Sequence, residues 1–110
     1  MNWHTLDSES ALEAAIQQSF NVPVIFFKHS TRCSISLMAK RSFEAGYQLS
    51  EAQVLPYFLD LLSFRPLSNK LASDFGVPHE SPQLLLVKDG KCIYHVSHSD
   101  IDVESLIKYL

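Results

Sequence analysis

The stretch Val22-Pro23-Val24-Ile25-Phe26-Phe27-Lys28-His29-Ser30-Thr31-Arg32-Cys33-Ser34-Ile35-Ser36 decides the architecture, because its hydrophobic period changes twice within fifteen residues. Val22 to Phe27 is short, β-branched and aromatic, with polar residues on both sides, which suits a strand buried on both faces. Lys28 to Cys33 is polar and reads as a turn. Beyond it Ile35, Met38, Ala39 and Phe43 fall on one helical stripe, and Gly46 follows as a C-terminal stop. Strand, turn and helix meet at Cys33.

Upstream, Ser10-x-x-Glu13 has the pattern of a capping box and opens a helix whose apolar positions are Leu12, Ala15, Ile16 and Phe20. Downstream, Val54 to Leu62 reads as a second strand, with Pro56 tolerable only at a strand start or an edge. Pro66 suits a first helical position, Leu67, Leu71 and Phe75 recur every four residues, and Gly76 with Pro78 closes that helix. Gln83 to Lys88 and Lys91 to Ser97 flank Asp89-Gly90, a pair that favours a two-residue antiparallel hairpin because both residues accept positive φ. Val103, Leu106, Ile107 and Leu110 outline a last helix, capped by Asp102 or Asp100. This order implies a right-handed β-α-β unit followed by an antiparallel pair. The expected domain, residues 1–110, is an α/β fold with a mixed four-stranded sheet, optionally extended by a short N-terminal strand, and four flanking helices. The layout resembles the thioredoxin fold, in which the reactive group follows the first central strand.

Composition narrows the function. With 110 residues, 46% of them apolar, there is room for one core and none for a second domain. Nine basic against twelve acidic residues give a net charge of −3, which argues against broad nucleic-acid binding. The apolar run Val22 to Phe27 is far short of the roughly twenty residues needed to cross a bilayer, and Met1-Asn2-Trp3-His4 lacks a cationic, apolar export signal. The expectation is a cytoplasmic protein that engages neither membrane nor nucleic acid, and whose two cysteines are reduced.

Cys33 falls at the start of the second helix, where unpaired N–H groups and the helix dipole favour an anion over a neutral thiol. No acidic residue lies between Glu13 and Glu44, whereas Lys28, Arg32, Lys40 and Arg41 do. These cations are expected to favour the thiolate, Arg32 above all because it is adjacent, and Arg32 also suits an anionic substrate. Ser36, one turn on, and Thr31, on the other side, are expected to donate hydrogen bonds to the thiolate. Cys33-x-x-Ser36 lacks the second cysteine with which a dithiol reductase breaks its own mixed disulfide, so Cys33 must pass its adduct to an outside thiol. Cys92 alternates with Tyr94 and Val96 along a strand and reads as a packing residue. The histidines His4, His29, His79, His95 and His98 show no paired ligand spacing, so no metal is expected; His29 or solvent is left as the base for a leaving thiol.

The segment Lys28 to Ser36, together with Ser81-Pro82-Gln83 and the Asp89-Gly90 hairpin, resembles the bacillithiol-system YtxJ family of monothiol bacilliredoxins. Ser34 stands where family members often carry proline. The resemblance implies a thiol-disulfide oxidoreductase with Cys33 as nucleophile, S-thiolated proteins as clients and bacillithiol as co-substrate, without a bound cofactor. It further implies that Pro82 is cis and lies against the reactive turn, leaving the Ser81 backbone to pair with an extended substrate. Thioredoxins keep a buried acid on the strand before the site; here that strand is Val24 to Phe27, and then Lys28. Two other readings stay open. Cys33-Ser34-Ile35-Ser36 is similar to the Cys-Gly-Phe-Ser site of monothiol glutaredoxins, which bind glutathione and iron–sulfur clusters, although their Gly-Gly pair is not found after Pro82. The other is a non-catalytic thioredoxin-like interaction module.

Overall fold

A computed structural model describes residues 1–110. In chain order it contains β1 (His4–Thr5), α1 (Glu9–Gln18), β2 (Val24–His29), α2 (Ser34–Gly46), β3 (Leu55–Asp60), α3 (Arg65–Phe75), β4 (Gln83–Lys88), β5 (Lys91–Ser97), a 3₁₀ turn at His98–Asp100, and α4 (Val103–Ile107). The strands form one sheet in the order β1-β3-β2-β4-β5. β1, β3 and β2 are parallel, whereas β4 runs antiparallel to β2 and to β5. The four expected strands and four helices are present, and His4 with Thr5 supplies the extra N-terminal strand.

β2 is buried at all six positions because it lies mid-sheet with cover on both faces. Val24 and Phe26 enter a core with Leu12 and Ala15 of α1 and Leu67 and Leu71 of α3. Ile25 and Phe27 face the other way, onto Phe43 of α2 and Val103 and Leu106 of α4. Burying each of these side chains contributes roughly 1.5–3 kcal/mol. Trp3, which the sequence pattern left unread, packs on Phe27, Phe43 and Phe58, and its indole N–H donates to Glu44 at 2.7 Å. No helix is long and apolar enough to cross a membrane.

Several local expectations shift. Ser8, not Ser10, caps α1: its backbone is extended (φ −158°) and its hydroxyl accepts the Ala11 N–H at 3.0 Å, while Ser10 lies already inside the first turn. α1 stops at Gln18, so Phe20 falls outside the helix, exposed, with its ring beside Gly90. β2 starts at Val24 and runs on through Lys28 and His29, because Lys28 pairs with Gln83 and His29 with Asp60. Pro56 is the second residue of β3; Leu55 N–H bonds to Pro23, which turns the Pro56 nitrogen to the other side, where β1 pairs only with Tyr57 and Phe58. Arg65 precedes Pro66 in α3, and Gly76 ends that helix in the left-handed region (φ 66°). The hairpin has positive φ at both Asp89 (52°) and Gly90 (75°), as its sequence predicts. Asp102 caps α4 by accepting the Ser105 N–H at 2.8 Å, and the helix ends before Leu110. On α2, Phe43 is buried, but Ile35 and Met38 are 67% and 69% exposed.

Candidate active site

The C-terminal ends of β2 and β3, together with the loop entering β4, converge at one end of the sheet, where parallel strands of α/β folds present their loops to ligands. Cys33 is there, as the N-cap of α2. Its backbone is extended (φ −104°), its N–H donates to the Ser30 carbonyl at 3.1 Å, and no side chain caps the helix. The thiol is exposed, and the uncapped first-turn N–H groups leave that position open to an anion. Thr31 and Arg32 are exposed and make no side-chain hydrogen bond or ion pair.

Ser36 departs from expectation. It is fully buried, and its hydrogen bonds in this structure go to His29 and Ser30 rather than to Cys33: Oγ accepts the Ser30 N–H at 3.1 Å and is 2.6 Å from Nδ1 of His29. The pull inward comes from β2, whose extra length places His29 beneath the start of α2. His29 is buried against the Phe58 ring. Burial lowers its pKa most, and Lys40 adds to this, against weaker opposition from Asp60, Ser36 and Glu44. The ring is therefore neutral near pH 7.

Lys28 points to the opposite face and is also sealed from solvent. Its Nζ lies 3.3 Å from His79 Nδ1, which in turn is 3.2 Å from Ser68 Oγ on α3. Burial pushes the Lys28 amine down to about 8. His79 belongs to the loop that ends in Ser81-Pro82, and that peptide bond is cis. The same loop is held from below by Gln83, whose Nε2 donates to the Pro78 carbonyl at 3.0 Å, and by the His98 N–H, which donates to the Pro82 carbonyl at 3.0 Å. Neither backbone group of Ser81 is engaged in a backbone hydrogen bond, and its buried hydroxyl has no partner.

This arrangement, an exposed thiol at a helix start after a central strand with a cis-proline loop, has known counterparts. The family model described as monothiol bacilliredoxin BrxC matches residues 4–106. The chain belongs to the monothiol bacilliredoxin family. A solved structure described as having a thioredoxin fold is 34% identical, with a TM-score of 0.81 over 94% of this chain and 89% of that one. Thioredoxins from Malassezia sympodialis (16% identity, TM-score 0.71, 98% of this chain and 86% of that one) and Fasciola hepatica (17%, 0.67, 96% and 93%) share the fold. This bacilliredoxin is a thiol oxidoreductase of thioredoxin fold.

The second thiol of the bacilliredoxin is remote. Cys92 sits beside Val87, which pairs with Val24 at the far end of β2, so the whole strand, roughly 17–20 Å, lies between it and the turn that carries Cys33. A disulfide needs Cα atoms within about 7 Å. Cys92 is half-buried against the core, its Sγ donates to the Tyr94 carbonyl at 3.4 Å, and burial pushes its thiol pKa up. No three His, Cys, Asp or Glu side chains gather in a set that could hold a metal ion. The sequence reading missed Lys28 and His29 as strand residues and weighed His79 only as a metal ligand, giving it no place at the site. A signal was available: Phe26 and Lys28 share one face of β2, and Phe27 and His29 the other, continuing the strand's alternation to the edge of the reactive turn.

Proposed function

We propose that this bacilliredoxin removes a low-molecular-weight thiol, bacillithiol, from S-thiolated client proteins, with Cys33 as its nucleophile. The observation that carries this reading is a single exposed thiol at an uncapped helix start, with Ser36 one turn on and the other cysteine at the far end of the sheet. The Cys33 thiolate attacks the small thiol's sulfur in the mixed disulfide; the bond to the client breaks, and the client sulfur leaves and takes a proton. A disulfide now joins Cys33 to the small thiol. A second small-thiol thiolate attacks it, releasing the symmetrical small-thiol disulfide and regenerating Cys33. Bacillithiol is co-substrate in this scheme, and no bound cofactor takes part.

Around the sulfur, Arg32 is free to draw an anionic substrate and Thr31 offers an exposed hydroxyl. The unused backbone of Ser81, beside Pro82, suits main-chain pairing with an extended client segment. Ile35 and Met38 give a protein client an apolar surface next to the thiol. The test uses a client protein carrying bacillithiol and weighs both proteins after mixing. The client is expected to lose the small thiol and Cys33 to gain it, and Cys33→Ser to do neither. A Cys33→Ser variant that releases the client as fast as the native chain refutes the reading.

A further inference from the structure

His29 and Ser36 are 3% and 0% exposed, and Nδ1 of one is 2.6 Å from Oγ of the other. The Ser30 N–H donates to the same oxygen. A hydroxyl has one proton to give and two lone pairs to offer. When Nδ1 is bare, Ser36 donates its proton to the ring. When Nδ1 carries a proton, Ser30 and His29 fill both lone pairs, and the Ser36 proton is free to point elsewhere. Cys33 stands one turn before it, as the N-cap of α2, a spacing at which side chains on a helix have Cβ atoms about 5–6 Å from each other. No hydrogen bond fixes the exposed Cys33 side chain.

The ring's other nitrogen completes the path. His29 has its only protein hydrogen bond through Nδ1, which leaves Nε2 free to exchange its proton with water. We propose that Ser36 and His29 form a proton wire from Cys33 to solvent. The thiol's proton passes to Ser36 Oγ, the hydroxyl's own proton passes to His29 Nδ1, and the Nε2 proton leaves to water. One proton leaves sulfur and one enters solvent. The thiolate is left accepting a hydrogen bond from Ser36, and the ring is left neutral in its other tautomer.

The wire deepens the reading of Cys33 as nucleophile and rests on it. It matters when a client covers the exposed thiol and shuts off direct contact with water, because the exit at His29 lies on the other side of Ser36. The groups facing the ring suit a relay rather than a proton store. Lys40 on α2 opposes a charged imidazole, Asp60 on β3 and Glu44 on α2 favour one, and Phe58 adds no charge. Glu44 is itself engaged by Lys40 at 2.9 Å and by Trp3.

The test is nitrogen-15 NMR of the imidazole rings in the full chain, with His29 assigned by the loss of its signals in His29→Gln. The ring proton is expected on Nε2 while Cys33 is a thiol and on Nδ1 once it is a thiolate, with no such exchange in Cys33→Ser. In Ser36→Ala the tautomer should no longer follow Cys33, and Ser36→Thr should restore the link. If Ser36→Ala does not fold, the comparison of native chain with Cys33→Ser still decides. A ring that keeps one tautomer through Cys33 ionisation, or a link that survives Ser36→Ala, overturns the wire. A fixed tautomer alongside normal client release removes only the wire, whereas absence of a Cys33 adduct in the client assay removes the functional reading beneath it.

Discussion

Lys28 lies wholly inside the protein, its amine meets the His79 ring, and no carboxylate stands against it. Burial favours the uncharged amine and lowers its pKa from 10.5 to about 8. Between those values the unfolded chain holds a proton that the folded chain has released, so stability rises with pH across this window. Below about 8 the cost of the buried ammonium is fully present. Lys28→Met keeps the length of the stem and drops the charge. It is expected to stabilise the fold at neutral pH by about 1–3 kcal/mol and to flatten the rise between pH 8 and 10.5, as read by urea unfolding at both ends of that range. A loss of stability at neutral pH would instead mean that the bond to His79 outweighs burial of the charge.

At the level of elements, the hairpin between β4 and β5 was legible because Asp89-Gly90 is among the few pairs that accept two positive φ angles. Gly90 carries a second constraint that no local pattern announces: a Cβ built there would lie 3.0 Å from the Phe20 ring. Gly90→Ala is therefore expected to cost about 1–2 kcal/mol, measurable as a lowered urea midpoint with an unchanged slope. α3 was equally legible, with Pro66 at its start and Gly76 at its end. The start of α1 was not, since Ser8 and Ser10 are chemically identical and only backbone direction separates them. On α2 the apolar stripe was real, but Ile35 and Met38 stay exposed while Phe43, two turns on, is buried. Periodicity reports which residues share a side of a helix, not what lies opposite each of them. Ser36 escaped for the same reason: its spacing from Cys33 was plain, but the buried imidazole that claims its hydroxyl comes from a strand expected to end two residues earlier.

For the whole molecule, β2 is hydrogen-bonded to a neighbour on each side and packed on each face, whereas the turn that follows it is lightly tied. The Thr31 and Arg32 amides meet no protein acceptor. Amide exchange is expected to divide accordingly: Val24 to Phe27 should exchange only through global unfolding, and Thr31 and Arg32 through local opening that urea does not accelerate. Exchange of β2 amides well below the global limit would show that the sheet opens in pieces. The separation of the two thiols carries a different consequence. Under the reaction proposed above, the chain has nowhere to bank an electron pair, since Cys33 has no internal partner and Cys92 lies a strand's length away. Each turnover must export its oxidation as a small molecule that diffuses off, so the direction of the reaction is written in the cell's ratio of small thiol to its disulfide.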